Sequence, residues 1–193
     1  MPITYTNAKE QTYFLHQGRT KTGNPTYYFS LKRDGHLADA IPLGYEIYEN
    51  PNGQVFLRKI PPQLITDAER QVVVDGMSRY ASGEAYKIDV KGTVLAIYLA
   101  DQDRHALARF VEEYPSDTQD KERMMQLLQR QVHYSPMLQF ILVDVQQRLF
   151  AAQRYCFRGA IDDWINIGLP NTLAHGVKTF VKHLGKASYF ELW

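Results

Sequence analysis

The sequence predicts an α+β protein, in which antiparallel β-hairpins, beginning with an N-terminal meander, pack with three to four helices. Three observations carry this. Strand-like stretches come in neighbouring pairs joined by short turn signals. Helix-like stretches fall between those pairs instead of alternating singly with strands. The composition, 45% apolar and 22% charged over 193 residues, is that of a chain able to bury a core.

Residues 12–17 alternate weakly, 18–25 (GRTKTGNP) carry turn chemistry, and 26–31 (TYYFSL) are rich in strand formers. Asp34-Gly35 marks another turn. Residues 45–49 (YEIYE) alternate, 50–53 (NPNG) turn, and 54–59 (QVFLRK) run back, which is a hairpin by its own pattern. Pro61-Pro62 then breaks the chain. The break divides a β-rich stretch, 1–60, from an α+β stretch, 61–193, the two joined as one compact unit.

Thr66 followed by Glu69 forms a capping box, so a helix is expected from there to about Tyr80, ending near Gly83. Residues 86–90 and 93–100 form a second hairpin around Lys91-Gly92. Leu107, Phe110, Val111 and Tyr114, three and four apart, predict a helix over 103–114. Residues 116–121 read as a polar loop and 122–132 as a further helix. A third hairpin pairs 137–145 with 149–157. Asp162 and Asp163 read as helix caps for a short turn that buries Trp164. Pro170 and Gly185 bracket a last helix, 172–184, and the closing KASYFELW reads as exposed.

Charge excludes some functions. Lys and Arg number 22 against 21 Asp and Glu, for a net charge of +1, which is unlike a supercharged nucleic-acid binder. The charge is nevertheless unevenly spread. Residues 1–37 carry five basic and two acidic side chains, residues 61–120 six and eleven, and residues 121–193 nine and five. No apolar run reaches the roughly 18 residues of a membrane helix. The opening MPITYTNAKEQ has no leader pattern, so the expected location is the cytoplasm. A single cysteine excludes an internal disulfide.

The segments TKTGNPTYYFSLKR, IPLGYEIYENPNGQVFLRK and RGAIDDWI…HLGKASYFEL are distinctive. In these blocks the chain resembles a group of uncharacterised microbial proteins, over residues 13–59 and about 150–192. The resemblance implies that the blocks are coherent structural units. It implies no activity, cofactor or partner.

Candidate chemistry is sparse. The six histidines show no HxH, HxxH, HxxxH or HExxH spacing, so no metal and no cofactor is expected. Cys156 stands two residues from both Arg154 and Arg158. On a regular strand the three share a face, a setting that suits an activated thiolate, although a free cysteine is more often a small buried residue. The N-terminal stretch sets Arg19, Lys21, Lys32 and Arg33 among Tyr13, Phe14, Tyr27, Tyr28 and Phe29, with no acidic residue between Gln11 and Arg33. The expected function is thus a non-enzymatic binding module. It takes a protein partner on the basic, aromatic hairpin through Arg19, Lys21, Tyr27, Lys32 and Arg33. Two alternatives stay open: a module for single-stranded nucleic acid, with phosphates on the cations and bases on the rings, and an enzyme with Cys156 as nucleophile.

Overall fold

A computed structural model describes residues 1–158 and 161–192. In chain order its elements are β1 (Thr4–Thr6), β2 (Thr12–Arg19), β3 (Pro25–Ser30), β4 (Tyr45–Glu49), β5 (Val55–Lys59), α1 (Asp67–Tyr80), β6 (Tyr86–Lys91), β7 (Val94–Ala100), α2 (Arg104–Glu113), α3 (Thr118–Gln131), β8 (Tyr134–Asp144), β9 (Leu149–Arg158), β10 (Ile161–Asn166), β11 (Asn171–Thr172) and α4 (Leu173–Phe180). Two short 3₁₀ turns, Val181–His183 and Ala187–Glu191, follow. This is the expected α+β fold with antiparallel hairpins. No helix among the described residues is long and apolar enough to cross a membrane.

The chain divides into two compact units. The first holds residues 1–60 and 108–132, the second Pro61–Leu107 and His133–Trp193.

In the first unit, β1, β2 and β3 form a three-stranded antiparallel sheet and β4 and β5 a separate hairpin, so the four stretches 12–17, 26–31, 45–49 and 54–59 do not run on as one meander. Leu15, Ala38 and Val55 are buried in this unit. Tyr5 donates its hydroxyl proton to Glu49 at 3.0 Å, and Asn7 Nδ2 donates to the Gly53 carbonyl at 2.6 Å, so the tip of the β4–β5 hairpin is tied to the β1–β2 turn. α3 begins at Thr118 because Asp117 caps it, its carboxylate accepting from the Asp120 amide at 2.8 Å. Residues 118–121 are therefore helical instead of loop. The cap was present in the sequence as the Ser-Asp pair before a helix-forming run.

The second unit is built on an antiparallel sheet ordered β10-β9-β8-β7-β6, with β11 on the far end of β9. Matched positions across its strands, Val90–Leu95–Phe140–Ala152 and Ile88–Ile97–Leu138–Arg154, place one face inward. α1 and α4 cover that face with Val73, Met77, Leu173 and Val177, and Val181 of the following 3₁₀ turn joins them. The helices approach closely at Gly76, where an added Cβ would lie 2.1 Å from Val177 Cγ1. α1 starts at the expected capping box. The Thr66 hydroxyl accepts from the Glu69 amide at 3.2 Å and the Thr66 amide donates to Glu69 Oε2 at 2.8 Å. Arg148 then clasps the same carboxylate, with Nε 2.9 Å from Oε1 and its other arm on Oε2. Desolvation pushes the Glu69 carboxyl up, but the hydrogen bonds from Arg148 and Thr66 outweigh it and hold the group below its ordinary value.

Two expectations for the C-terminal half are corrected. Asp162, Asp163 and Trp164 form no helical turn. They lie in β10, opposite Phe157, Cys156 and Tyr155 of β9. The unpaired edge of β9 gave this segment a ladder to join, and Trp and Ile favour a strand. Asp163 instead accepts from the adjacent Trp164 amide at 2.7 Å. Trp164 is half-buried, packed edge-on against Tyr155 with ring centroids 5.1 Å apart. The closing segment is also not wholly exposed. Tyr189, 1% exposed, reaches into the sheet at an irregularity of β7–β8, where Tyr98 pairs with Pro136 and Ile97 with Leu138, so Met137 has no opposite residue. The Tyr189 hydroxyl donates to the Met137 carbonyl and accepts from the Tyr155 amide at 3.1 Å. Burial pushes its phenol far above the ordinary value.

Candidate functional site

The five residues singled out by sequence all lie on or next to the β2–β3 hairpin, but they do not form one cluster. Arg19 closes β2, exposed, opposite Pro25. Lys21 is exposed in the connecting turn, 20–24. That turn is ordered by its own bonds: the Thr20 amide donates to the Asn24 carbonyl at 2.8 Å, and the Asn24 amide donates to the Thr20 hydroxyl at 3.0 Å. Gly23 supplies the left-handed conformation the turn needs, with φ 85°. Tyr27 lies opposite Gln17 and is half-buried. By strand alternation it shares a face with Arg19.

Lys32 and Arg33 are exposed just beyond the other end of β3. Their position is pinned by His16, which is 4% exposed. Its Nε2 donates to the Lys32 carbonyl at 2.9 Å, and its ring stacks on Tyr28 at 5.1 Å. Five steps of β3 at about 3.3 Å separate the two cationic ends by about 17 Å. Arg19, Lys21, Lys32 and Arg33 enter no ion pair among the described residues.

The Cys156 setting is different. Cys156 is 4% exposed in β9, opposite Asp163. Arg154 shares its face as the spacing required, but it serves the closing segment. Its Nε donates to the Leu192 carbonyl at 2.8 Å, and it lies 5.7 Å from the Tyr189 ring centroid. The Arg158 side chain and Gly159 lie outside the described residues. No group of three or more His, Cys, Asp or Glu side chains suited to a metal is present among the described residues. His133 pairs with Asp101 at 2.6 Å on the surface, and His183 contacts the Ser188 hydroxyl at 2.9 Å. The His105 side chain lies outside the described residues.

Sequence reading missed a second feature of the first unit. The turns NAKEQ (7–11) and NPNGQ (50–54) share one bonding pattern. In each, the Asn amide donates to the Gln carbonyl, at 3.0 and 2.9 Å, and the fourth residue's amide donates to the Asn carbonyl, at 2.9 Å in both. Each Asn Oδ1 accepts from the amides of the third and fifth residues. Each Asn Nδ2 donates to the Gln Oε1, at 3.1 and 2.8 Å. The fourth residue is left-handed in both, Glu10 at φ 60° and Gly53 at φ 79°. The signal was the repeated N-x-x-x-Q, visible in the sequence but informative only once the two turns are seen to bond alike. Beside them opens a cleft of about 380 Å³ whose walls include Lys9, Gln11, Tyr13, Gln54, Leu127 and Arg130.

Comparison of the chain with protein-family models, with curated proteins and with solved structures gives no match.

Proposed function

We propose that the protein is a non-enzymatic binding module that takes an extended acidic segment of a partner protein along the β2–β3 hairpin. The observation that carries this reading is the set of four exposed cations, Arg19, Lys21, Lys32 and Arg33, none in an ion pair among the described residues. Two of them stand at each end of β3, and an extended segment of five or six residues spans about that distance. The ends are held in place before binding, by the ordered 20–24 turn and by the His16 bond to Lys32. Binding therefore orders little backbone, which keeps its entropic cost low.

A nucleic-acid strand would use the same cations but also needs free ring faces for its bases. Tyr28 has one face on His16, and Tyr27 and Phe29 are half-buried. These features favour the peptide. A thiol enzyme is the weaker reading, because Cys156 is buried and Arg154 is turned to backbone carbonyls.

The test is fluorescence anisotropy with two labelled probes, a Glu/Ser peptide and an oligothymidine, at low and physiological salt. Peptide binding should exceed oligothymidine binding, weaken as salt rises, and fall about tenfold or more in the Arg19→Glu/Lys21→Glu variant. Tighter oligothymidine binding would assign the face to nucleic acid. Unchanged peptide affinity in the variant would remove the hairpin from the reading.

A further inference from the structure

We infer that the cleft beside the paired N-x-x-x-Q turns is a binding site for a small anion carrying a carboxylate or a phosphate group. The inference is independent of the partner reading, since the cleft is lined by neither the 20–24 turn nor Lys32 and Arg33.

The two turns use up a defined set of hydrogen-bonding groups. Each Asn Oδ1 accepts two backbone amides, which fixes that side chain's orientation and leaves its Nδ2 as the donor. The Nδ2 groups are spent on Gln11 Oε1 and Gln54 Oε1, and Asn7 also on the Gly53 carbonyl. Both glutamines thus have their acceptor oxygen occupied and keep their two N–H donors. Both side chains line the cleft. Two left-handed turns with the same bonds therefore present the same chemistry at the cleft, a primary amide whose oxygen is held by the turn's own asparagine.

Charge agrees with this. Lys9 and Arg130 line the same cleft, and Tyr13 adds a hydroxyl. The Lys9 stem lies on the second turn: a Cβ on Gly53 would meet Lys9 Cγ and Cδ at 3.3 Å and Asn7 Nδ2 at 3.2 Å. Glycine at 53 thus serves both the left-handed turn and the seating of Lys9. The Lys9 ammonium enters no ion pair among the described residues. Arg130 is paired with Glu10, whose carboxylate models the kind of group the cleft receives and competes for one arm of the guanidinium. A cavity of about 380 Å³ is at the small end of ligand sites, the size of a compact metabolite. Donors surrounding a pair of cations stabilise a carboxylate or phosphate, and leave a cation or a hydrogen-bond donor unsatisfied.

The test follows the glutamine side-chain amide resonances of the full-length ¹⁵N-labelled protein by NMR. Inorganic phosphate and glutarate are titrated separately, against sodium chloride at matched ionic strength. The Gln11 and Gln54 NH₂ signals should shift to saturation, with a dissociation constant on the order of 1 mM, and the tighter of the two anions assigns the ligand class. Gln11→Glu keeps the oxygen that Asn7 needs but replaces the amide donor with an anionic oxygen. It should weaken binding about tenfold or more while leaving the rest of the spectrum in place. Lys9→Gln, a change at the surface, should weaken it by a similar factor. Shifts that are linear and equal in chloride would overturn the inference, as would unaltered affinity in both variants.

Discussion

Gly76→Ala sets two effects of known sign against each other. In an exposed helix, replacing glycine by alanine stabilises by about 0.8–1 kcal/mol, because glycine has more backbone freedom to lose. Gly76 is instead buried where α1 meets α4, and the new methyl would stand 2.1 Å from Val177 Cγ1. Carbon atoms rest about 3.5–4.0 Å apart, so the overlap is about 1.5 Å. Val177 is β-branched in a helix and has one strongly preferred rotamer, so it cannot turn aside cheaply. Moving α4 away would loosen its seat on the sheet, where a Cβ on Gly176 would lie only 2.9 Å from Phe140 Cε1. Overpacking of this kind costs about 1–3 kcal/mol. Set against the gain of about 0.8–1 kcal/mol, this leaves a net loss of up to about 2 kcal/mol, read as a lower urea midpoint at unchanged m-value. Val177→Ala alone removes two buried methyl groups and costs at least about 1.6 kcal/mol. Combined with Gly76→Ala it should cost less than the sum of the two, since the new methyl enters the vacated space. If Gly76→Ala alone raises the midpoint, or if the two substitutions are additive, the helices do not meet where the argument places them.

Tyr189→Phe should destabilise by about 1–3 kcal/mol, because it strands the Met137 carbonyl and the Tyr155 amide. A loss under about 0.5 kcal/mol in the same titration would show that this hydroxyl is not a tie. Glu69 has a folded value below its ordinary 4.5, so its contribution is full above that pH and is lost as pH falls through the folded value. The stability gap between wild type and Glu69→Gln should therefore close in strong acid. A gap independent of pH would remove the Arg148 clasp as its source. Cys156, 4% exposed, should resist alkylation by iodoacetamide until the protein unfolds. Rapid modification of the folded protein would restore it as a candidate nucleophile.

What the sequence made legible was local. Thr66 and Glu69 are three residues apart and bond each other, so the helix start could be read from them alone. The 45–49 strand carries its alternation and its turn within a dozen residues, and it is found with the bounds expected. The exposure of the basic side chains was legible too, because a charged group with no nearby acid stays in water. What could not be read depended on distant partners. Residues 162–167 have capping residues and an aromatic anchor, which suit a helical turn. Only the presence of β9 alongside makes a strand better. Tyr189 looked like a surface aromatic because its partners, Met137 and Tyr155, are 52 and 34 residues away. Arg154 was placed on the correct face beside Cys156, but its bond runs to Leu192, 38 residues on. The 7–11 and 50–54 turns are each ordinary alone, and their likeness emerges only from the side-chain bonds.

β7 and β8 are partners in one ladder, with Ala100 opposite Tyr134 and the Asp101 amide bonded to the His133 carbonyl at 2.9 Å. Topologically they are a hairpin, and residues 101–133 are its loop, one that contains α2 and α3. Most of that loop groups with residues 1–60. Stretching a hairpin connection from two residues to about thirty is roughly four doublings, and adds only about 2–3 kcal/mol of closure entropy. The fold therefore accommodates a helical excursion from the middle of its sheet at a modest thermodynamic cost. The heavier consequence is genetic. A gene fragment ending at residue 60 encodes the strands of the first unit without the helix that carries Leu127 and Arg130, whereas one spanning 61–193 carries that helix without its strands. Neither unit can be separated by a single cut. A split of the chain that respects both would replace residues 108–132 by a short linker between Leu107 and His133, and would supply 108–132 to the N-terminal strands on a linker of its own.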